Sequence, residues 1–158
     1  MRTHVRKSIG ISAPRKSRGV GLIEVLIAVL VMGIGMLGIA ALQATSLRNS
    51  QSSLERGNAV IQTYTILDAM RANQTAAAAG SYNLAAMTCS KFATPGSLAQ
   101  KDINNWIDAM HAMLGDSTST CGQINCTAAS LCTVTVQWDD SRGSDGSGTQ
   151  QIQTVSQL

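Results

Sequence analysis

Polar and apolar positions divide this chain into three stretches of different character. Residues 1–18 mix basic, hydroxyl and isolated apolar side chains, with Pro14 among them and no apolar core of their own. Residues 20–42 are apolar or small throughout, and Glu24 is the one charged residue in that run. From Gln43 onward polar and apolar side chains interleave. A run of 23 such residues exceeds the roughly 20 that carry a helix across a bilayer. It also exceeds the roughly 7–15 apolar residues of a secretory signal core. Polar sequence follows at Gln43 without a small-x-small exit, so the run reads as a retained membrane segment.

After Leu42 the pattern becomes amphipathic without a break. Leu47, Leu54 and Ile61 recur every seven residues, with Val60, Tyr64, Leu67 and Met70 filling the same face. Ser50, Gln51, Ser52, Glu55 and Arg56 take the other side. No proline interrupts residues 20–73, and Gly57 is the one weak point after the apolar run. The pattern predicts a single helix over residues 20–73, about 80 Å long at 1.5 Å per residue. Its first half would lie in lipid or in the core of an assembly, and its second half would lay the Leu47–Leu54–Ile61 stripe on a small head. Ser52 and Glu55 have the spacing of a capping box, but inside a continuous stripe they mark no helix start.

The head reads as α+β. Residues 73–87, rich in Ala, Gly and Ser, predict the helix end and a connecting loop. Ile103, Trp106, Ile107, Met110 and Leu114 predict a second helix over residues 98–114, with Asp102 in the first turn where an acid favours the dipole. Cys132, Val134, Val136 and Trp138 alternate with Thr133, Thr135 and Gln137, a half-buried strand over residues 131–138. The Gly-, Ser- and Asp-rich residues 139–148 form a turn or loop, and residues 150–155 return as a short antiparallel partner.

Charge sharpens this division. Six of the twelve Lys and Arg residues precede Gly19 and all nine acids follow it, so the chain from Val20 on carries a net charge of −3. A nucleic-acid partner for that portion gains no support. The basic cluster before the apolar run, against Arg48 alone soon after it, orients the N-terminus to the cytoplasm and the head to the periplasm. At 13% charged and 3% aromatic residues, a large enzyme core is not expected.

Candidate chemistry is sparse. A carboxylate inside an apolar helix costs a few kcal/mol unless it is paired or reaches water, which singles out Glu24; the plainer alternative is an interfacial acid at the helix N-terminus. If the chain were cut between Gly19 and Val20, Glu24 would become the fifth residue, and an amine on an adjacent copy could neutralise it. Gly33, Gly35 and Gly38 have the spacing of a dinucleotide fingerprint, but they sit mid-run without the strand and polar access that fingerprint needs. Close helix approach suits them better. The Asp139–Asp145 spacing lacks the remaining acids of a calcium loop. Cys89, Cys121, Cys126 and Cys132 all fall in the head, where an extracytoplasmic setting implies two disulfides. Three connectivities are possible, and Cys121–Cys126 with Cys89–Cys132 is favoured. Zinc is disfavoured for want of a Cys-x-x-Cys pair. His111 reads as a packing or surface residue. No catalytic set, metal site or cofactor is implied.

A short basic leader, Gly19 before Val20, then Leu22, Ile23 and Glu24 heading some 20 apolar residues resemble the prepilin motif of type IV pilins and type II secretion pseudopilins. The stretch from Gly33 to Gln43, residues 68–73 and residues 134–138 are similar to minor pilins of the pilus-modification group. The likeness covers residues 19–73 and is patchy beyond. Val20 departs from the Phe usual in major pilins, as minor subunits often do. The resemblance implies a pilin-like architecture: leader peptide 1–19, transmembrane half-helix 20–42, amphipathic half 43–75 and disulfide-stapled head 76–158. It implies cleavage between Gly19 and Val20 by a prepilin peptidase, N-methylation of Val20, and an assembly role for Glu24. Partners would be that peptidase/methyltransferase, other major and minor pilins, and the inner membrane. The chain would be a substrate of an enzyme rather than an enzyme, acting in pilus assembly, adhesion or motility. A minor pseudopilin of type II secretion, or an anchored binding domain that never polymerises, are the alternatives.

Overall fold

The computed structural model describes residues 19–115, 118–127 and 130–158. The uninterrupted apolar and amphipathic pattern does form one helix, α1 (Leu22–Ala72, 51 residues). A five-residue helix, α2 (Gln74–Ala78), follows where a plain loop was expected, and then come α3 (Leu98–Leu114), β1 (Cys121–Cys126), β2 (Leu131–Trp138) and β3 (Gln150–Gln157). The chain falls into two units that divide between Ala40 and Ala41. In the first unit every described residue is exposed. The second holds the core and is an α+β head.

The three strands form an antiparallel sheet in the order β1-β2-β3. β2 pairs with β3 one residue to one residue from Leu131↔Gln157 to Trp138↔Gln150. Its alternation works as read: Cys132, Val134, Val136 and Trp138 are buried on one face. β1 was not foreseen. Its sequence offers one apolar β-former, Ile124, and a glycine that the packing requires. A Cβ at Gly122 would run into the Trp106 ring, so this strand is shaped to admit the largest side chain of α3.

α3 has the predicted bounds, set by caps at both ends. The Ser97 hydroxyl accepts from the Gln100 N–H (3.2 Å), and Gln100 Oε1 accepts from the Gly96 N–H (2.8 Å), a reciprocal arrangement close to a capping box. Gly115 ends the helix with φ 104°, its N–H bonded to the His111 carbonyl, a position where glycine escapes the Cβ penalty. Asp102 lies beyond the first turn; instead of serving the dipole it accepts the Tyr82 hydroxyl at 2.5 Å.

The face of α1 that meets the core differs from the expected one. Buried are Glu55, Ala59, Gln62, Thr63, Ile66, Leu67 and Met70, spaced i, i+4, i+7, i+8, i+11 as a helix stripe requires. Leu67 and Met70 belong to it, but Leu47, Leu54, Ile61 and Tyr64 stay exposed. At 3.6 residues per turn Ile61 lies roughly half a turn from Ala59 and Thr63. The supposed outer row of Ser52 and Glu55 is therefore the docking row. The reason lies in loop 139–148. Ser52 donates to buried Asp140 Oδ2 at 2.7 Å, and Arg142 approaches Glu55 at 3.6 Å. Polar residues on α1 answer polar residues on the loop. The loop closes tightly because a Cβ at Gly146 would collide with the Asp140 carbonyl. Trp106 donates its indole N–H to the Gln62 carbonyl (2.9 Å), joining α3 to α1 across the core.

Candidate processing and assembly site

Gly19, Val20 and Gly21 precede the helix and are exposed; α1 starts at Leu22. Glycine at 19 and 21 disfavours helix there through its backbone entropy. The first turn is fixed from the Gly21 carbonyl, which accepts from Glu24 N–H (3.0 Å) and Val25 N–H (3.3 Å). Nothing lies within 4 Å of where a Cβ on Gly19 would stand. The Gly19–Val20 peptide bond therefore sits in open, non-helical backbone, the form a peptidase can bind and hydrolyse.

Glu24 occupies the first turn of α1. There its charge is favoured by the unpaired N–H groups and the positive end of the helix dipole. Among the described residues none hydrogen-bonds or ion-pairs with its carboxylate. Around it the side chains are apolar and exposed, including Leu22, Ile23, Val25 and Leu26. The helix carries an 18-residue window of mean hydropathy 2.7 with none of it buried. Its length and composition suit a bilayer. Hydrolysis at Gly19–Val20 would create an α-amine four residues before Glu24, and a cation brought to Glu24 would supply the countercharge it lacks.

The four cysteines form two bonds, Cys89–Cys121 and Cys126–Cys132. The favoured pairing, Cys121–Cys126 with Cys89–Cys132, is not the one formed. Cys121 and Cys126 stand at opposite ends of β1, about 16 Å apart at 3.3 Å per residue, far beyond disulfide reach. Cys126 faces Cys132 directly across the β1–β2 ladder. Cys121 instead takes Cys89, next to Thr88, whose backbone exchanges two hydrogen bonds with Gly122. The pairing follows from β1, and without that strand it could not be read.

Elsewhere in the head, a polar pocket of about 300 Å³ is lined by Asn49, Ser52, Arg56, Asp140, Ser144 and Asp145. Among the described residues no three His, Cys, Asp or Glu side chains converge as metal ligands would. His111 is half-buried on α3, its Nε2 3.1 Å from the Thr120 carbonyl. The Tyr82 hydroxyl pKa is pushed up to about 12 by burial, with Asp102 accepting its hydrogen bond and Asn73 donating to it in partial opposition. The Ser141 hydroxyl and N–H hold half-buried Asp139 below the usual carboxylate range, and Arg142 helps. The Tyr82 and His111 bonds tie loops to α3, and the Asp139 bonds brace the loop after β2.

The family model described as the prokaryotic N-terminal methylation motif matches residues 14–40. That span contains Gly19, Val20, Glu24 and all but the last two residues of the apolar run. No curated protein and no solved structure matches the chain. The motif supports a prepilin of the type IV pilin or pseudopilin type, a structural subunit rather than an enzyme. Such a subunit is processed by a prepilin peptidase and assembles with other pilins. The apolar helix and the motif together fit a membrane-anchored pilin.

Proposed function

We propose that this chain is a minor type IV pilus subunit of the pilus-modification (PilV) kind, cut between Gly19 and Val20 and methylated on the new Val20 amine. The leader is 1–19, the membrane half-helix 20–42, the amphipathic half 43–75 and the head 76–158. Before assembly the N-terminus is cytoplasmic, residues 20–42 span the inner membrane and the head lies in the periplasm. After cleavage and extraction the subunit joins the pilus, where it starts or modifies assembly and supports adhesion and twitching motility.

The observation that carries this reading is the junction itself. An exposed, non-helical Gly19–Val20 bond stands immediately before an apolar helix whose first turn holds a carboxylate with no partner among the described residues, and the methylation motif spans it. In apolar surroundings that carboxylate costs a few kcal/mol while unpaired. The protonated Val20 amine of a neighbouring subunit neutralises Glu24, so assembly is favoured over remaining in the bilayer. Methylation leaves the amine charged at neutral pH. A pseudopilin of type II secretion would use the same junction, and the genes adjoining this one separate the two.

Intact mass and N-terminal peptide analysis of protein isolated from its own membranes tests the proposal. A chain beginning at N-methylated Val20 is expected. Residues 1–19 still attached, in cells whose processing enzyme is active, would overturn it and favour an anchored domain that never polymerises.

A further inference from the structure

The polar pocket of about 300 Å³ in the head takes no part in the cleavage junction. One wall is the stretch of α1 from Asn49 to Arg56, and the other is the loop 139–148. Three charged side chains line it: Arg56 from α1, and Asp140 and Asp145 from the loop. Opposite charges around one small space ordinarily pair. Here they do not. Among the described residues Arg56 forms an ion pair with no acid, and neither Asp140 nor Asp145 forms one with a base. The loop's own base, Arg142, turns to Glu55 instead.

Asp140 is the deepest of the three, only 2% exposed. The loop folds around it: its N–H donates to the Ser147 carbonyl (2.9 Å), and its carbonyl accepts from the Gly143 N–H (2.9 Å). Its carboxylate receives one hydrogen bond, from the Ser52 hydroxyl to Oδ2 (2.7 Å), and no described group donates to Oδ1. A carboxylate taken out of water with one neutral donor lacks the countercharge that its burial calls for. Arg56 stands one turn of α1 beyond Ser52 and is exposed, yet it does not supply that charge. Helix and loop therefore hold one cation and two anions apart around a shared space.

We propose that this pocket binds a free α-amino acid with a small polar side chain. Such a ligand carries both of the charges that the pocket keeps separate. Its ammonium brings three donors to Asp140 and Asp145, and supplies the missing countercharge. Its carboxylate matches the forked guanidinium of Arg56. A plain cation would be repelled by Arg56, and a plain anion would meet two carboxylates, so the charge pattern selects a zwitterion. The remaining lining sets the side-chain class. Asn49, Ser52, Ser53 and Ser144 present amide and hydroxyl groups, and no aliphatic or aromatic side chain lines the pocket. Serine, glycine and asparagine suit such walls, whereas leucine or phenylalanine would bury apolar surface against polar groups. A volume of about 300 Å³ lies at the small end of ligand sites. Once bound, the ligand adds a second bridge between loop and α1 beside the Ser52–Asp140 bond. The site belongs to the head alone, so its failure would leave the pilus reading untouched.

The test uses the full chain in detergent and isotopically labelled L-serine, with binding read by equilibrium dialysis. Saturable binding at one site per chain is expected, half-filled at about 1 mM or below. Two altered probes separate the contacts. L-serinamide lacks the carboxylate, and lactate carries a hydroxyl where the ammonium stands; each should bind about tenfold or more weakly. Arg56→Gln should weaken L-serine about tenfold yet leave L-serinamide unchanged, and Asp145→Asn should weaken L-serine without weakening lactate. Both replaced side chains are exposed, and the two intact disulfides on non-reducing gels report that the head has folded. No binding of L-serine up to about 10 mM, equal losses for L-serine and L-serinamide in Arg56→Gln, undiminished L-serine binding in both folded variants, or displacement of L-serine by calcium ion would each overturn the proposal.

Discussion

Residues 22–40 and residues 52–70 belong to the same helix yet obey opposite rules. In the first, apolar side chains cover every side and none is buried. In the second, a buried stripe exists, and its first member is a glutamate. Apolar character therefore marks a core in neither simple sense. The all-round apolar surface of residues 22–40 suits a solvent other than water. Residues 52–63 dock through Ser52, Glu55, Gln62 and Thr63 because what they meet is polar loop and backbone, while Ile61 and Leu54, with higher hydropathy, stay outside.

The largest expected effect separates the two regions by function. Glu24→Ala should leave cleavage and the head's thermal unfolding unchanged but lower incorporation into filaments about tenfold or more, as scored by immunoblot of sheared pili. Equal incorporation would remove the charge-pairing role. Next comes a contrast within one head. Trp106→Ala should cost about 3–5 kcal/mol in denaturant unfolding, whereas Leu54→Ala, on the exposed side of α1, should stay within about 0.5 kcal/mol. Parity of the two would restore the heptad face as the docking face.

The disulfides give a graded test. Cys89–Cys121 closes 32 residues and Cys126–Cys132 closes 6. Chain entropy assigns about 4 kcal/mol to the first and about 2 to the second, so Cys89→Ser with Cys121→Ser should lower stability more than the Cys126→Ser, Cys132→Ser pair. The smallest effect is on pH dependence. Tyr82 titrates near 12 in the folded head against about 10 when unfolded. Its contribution is complete below pH 10 and is lost as pH rises towards 12, on the order of 2 kcal/mol. Tyr82→Phe should flatten that slope in alkaline unfolding curves; an unchanged slope would assign it to Lys and Arg deprotonation.

How much could be read in advance depended on uniformity. α3 and β2 fell on the expected residues because each carries a long, clean period backed by buried side chains such as Trp106 and Val136. Glu24 drew attention because a single charge in an apolar run stands out whatever surrounds it, and α1 starts beside it at Leu22. β1 was not: Gly122 has no side chain to join a pattern, and its reason for being glycine is a tryptophan 16 residues earlier in the chain. The cysteine pairing inherited that gap. The face of α1 was misassigned because heptad leucines outweigh a row of Ser, Glu, Gln and Thr on any hydropathy count, although only the latter have partners in the head.

Residues 84–88, the segment laid along β1, have a consequence for biogenesis. Its attachment consists of three backbone bonds and one covalent tie to Cys89. A head still carrying free thiols holds residues 84–88 by the weaker means alone, and their fraying would bare both flanks of the sheet at once. Oxidation leaves one flank bare. The redox state in which the head folds would thus decide whether newly made heads risk stacking into ribbons.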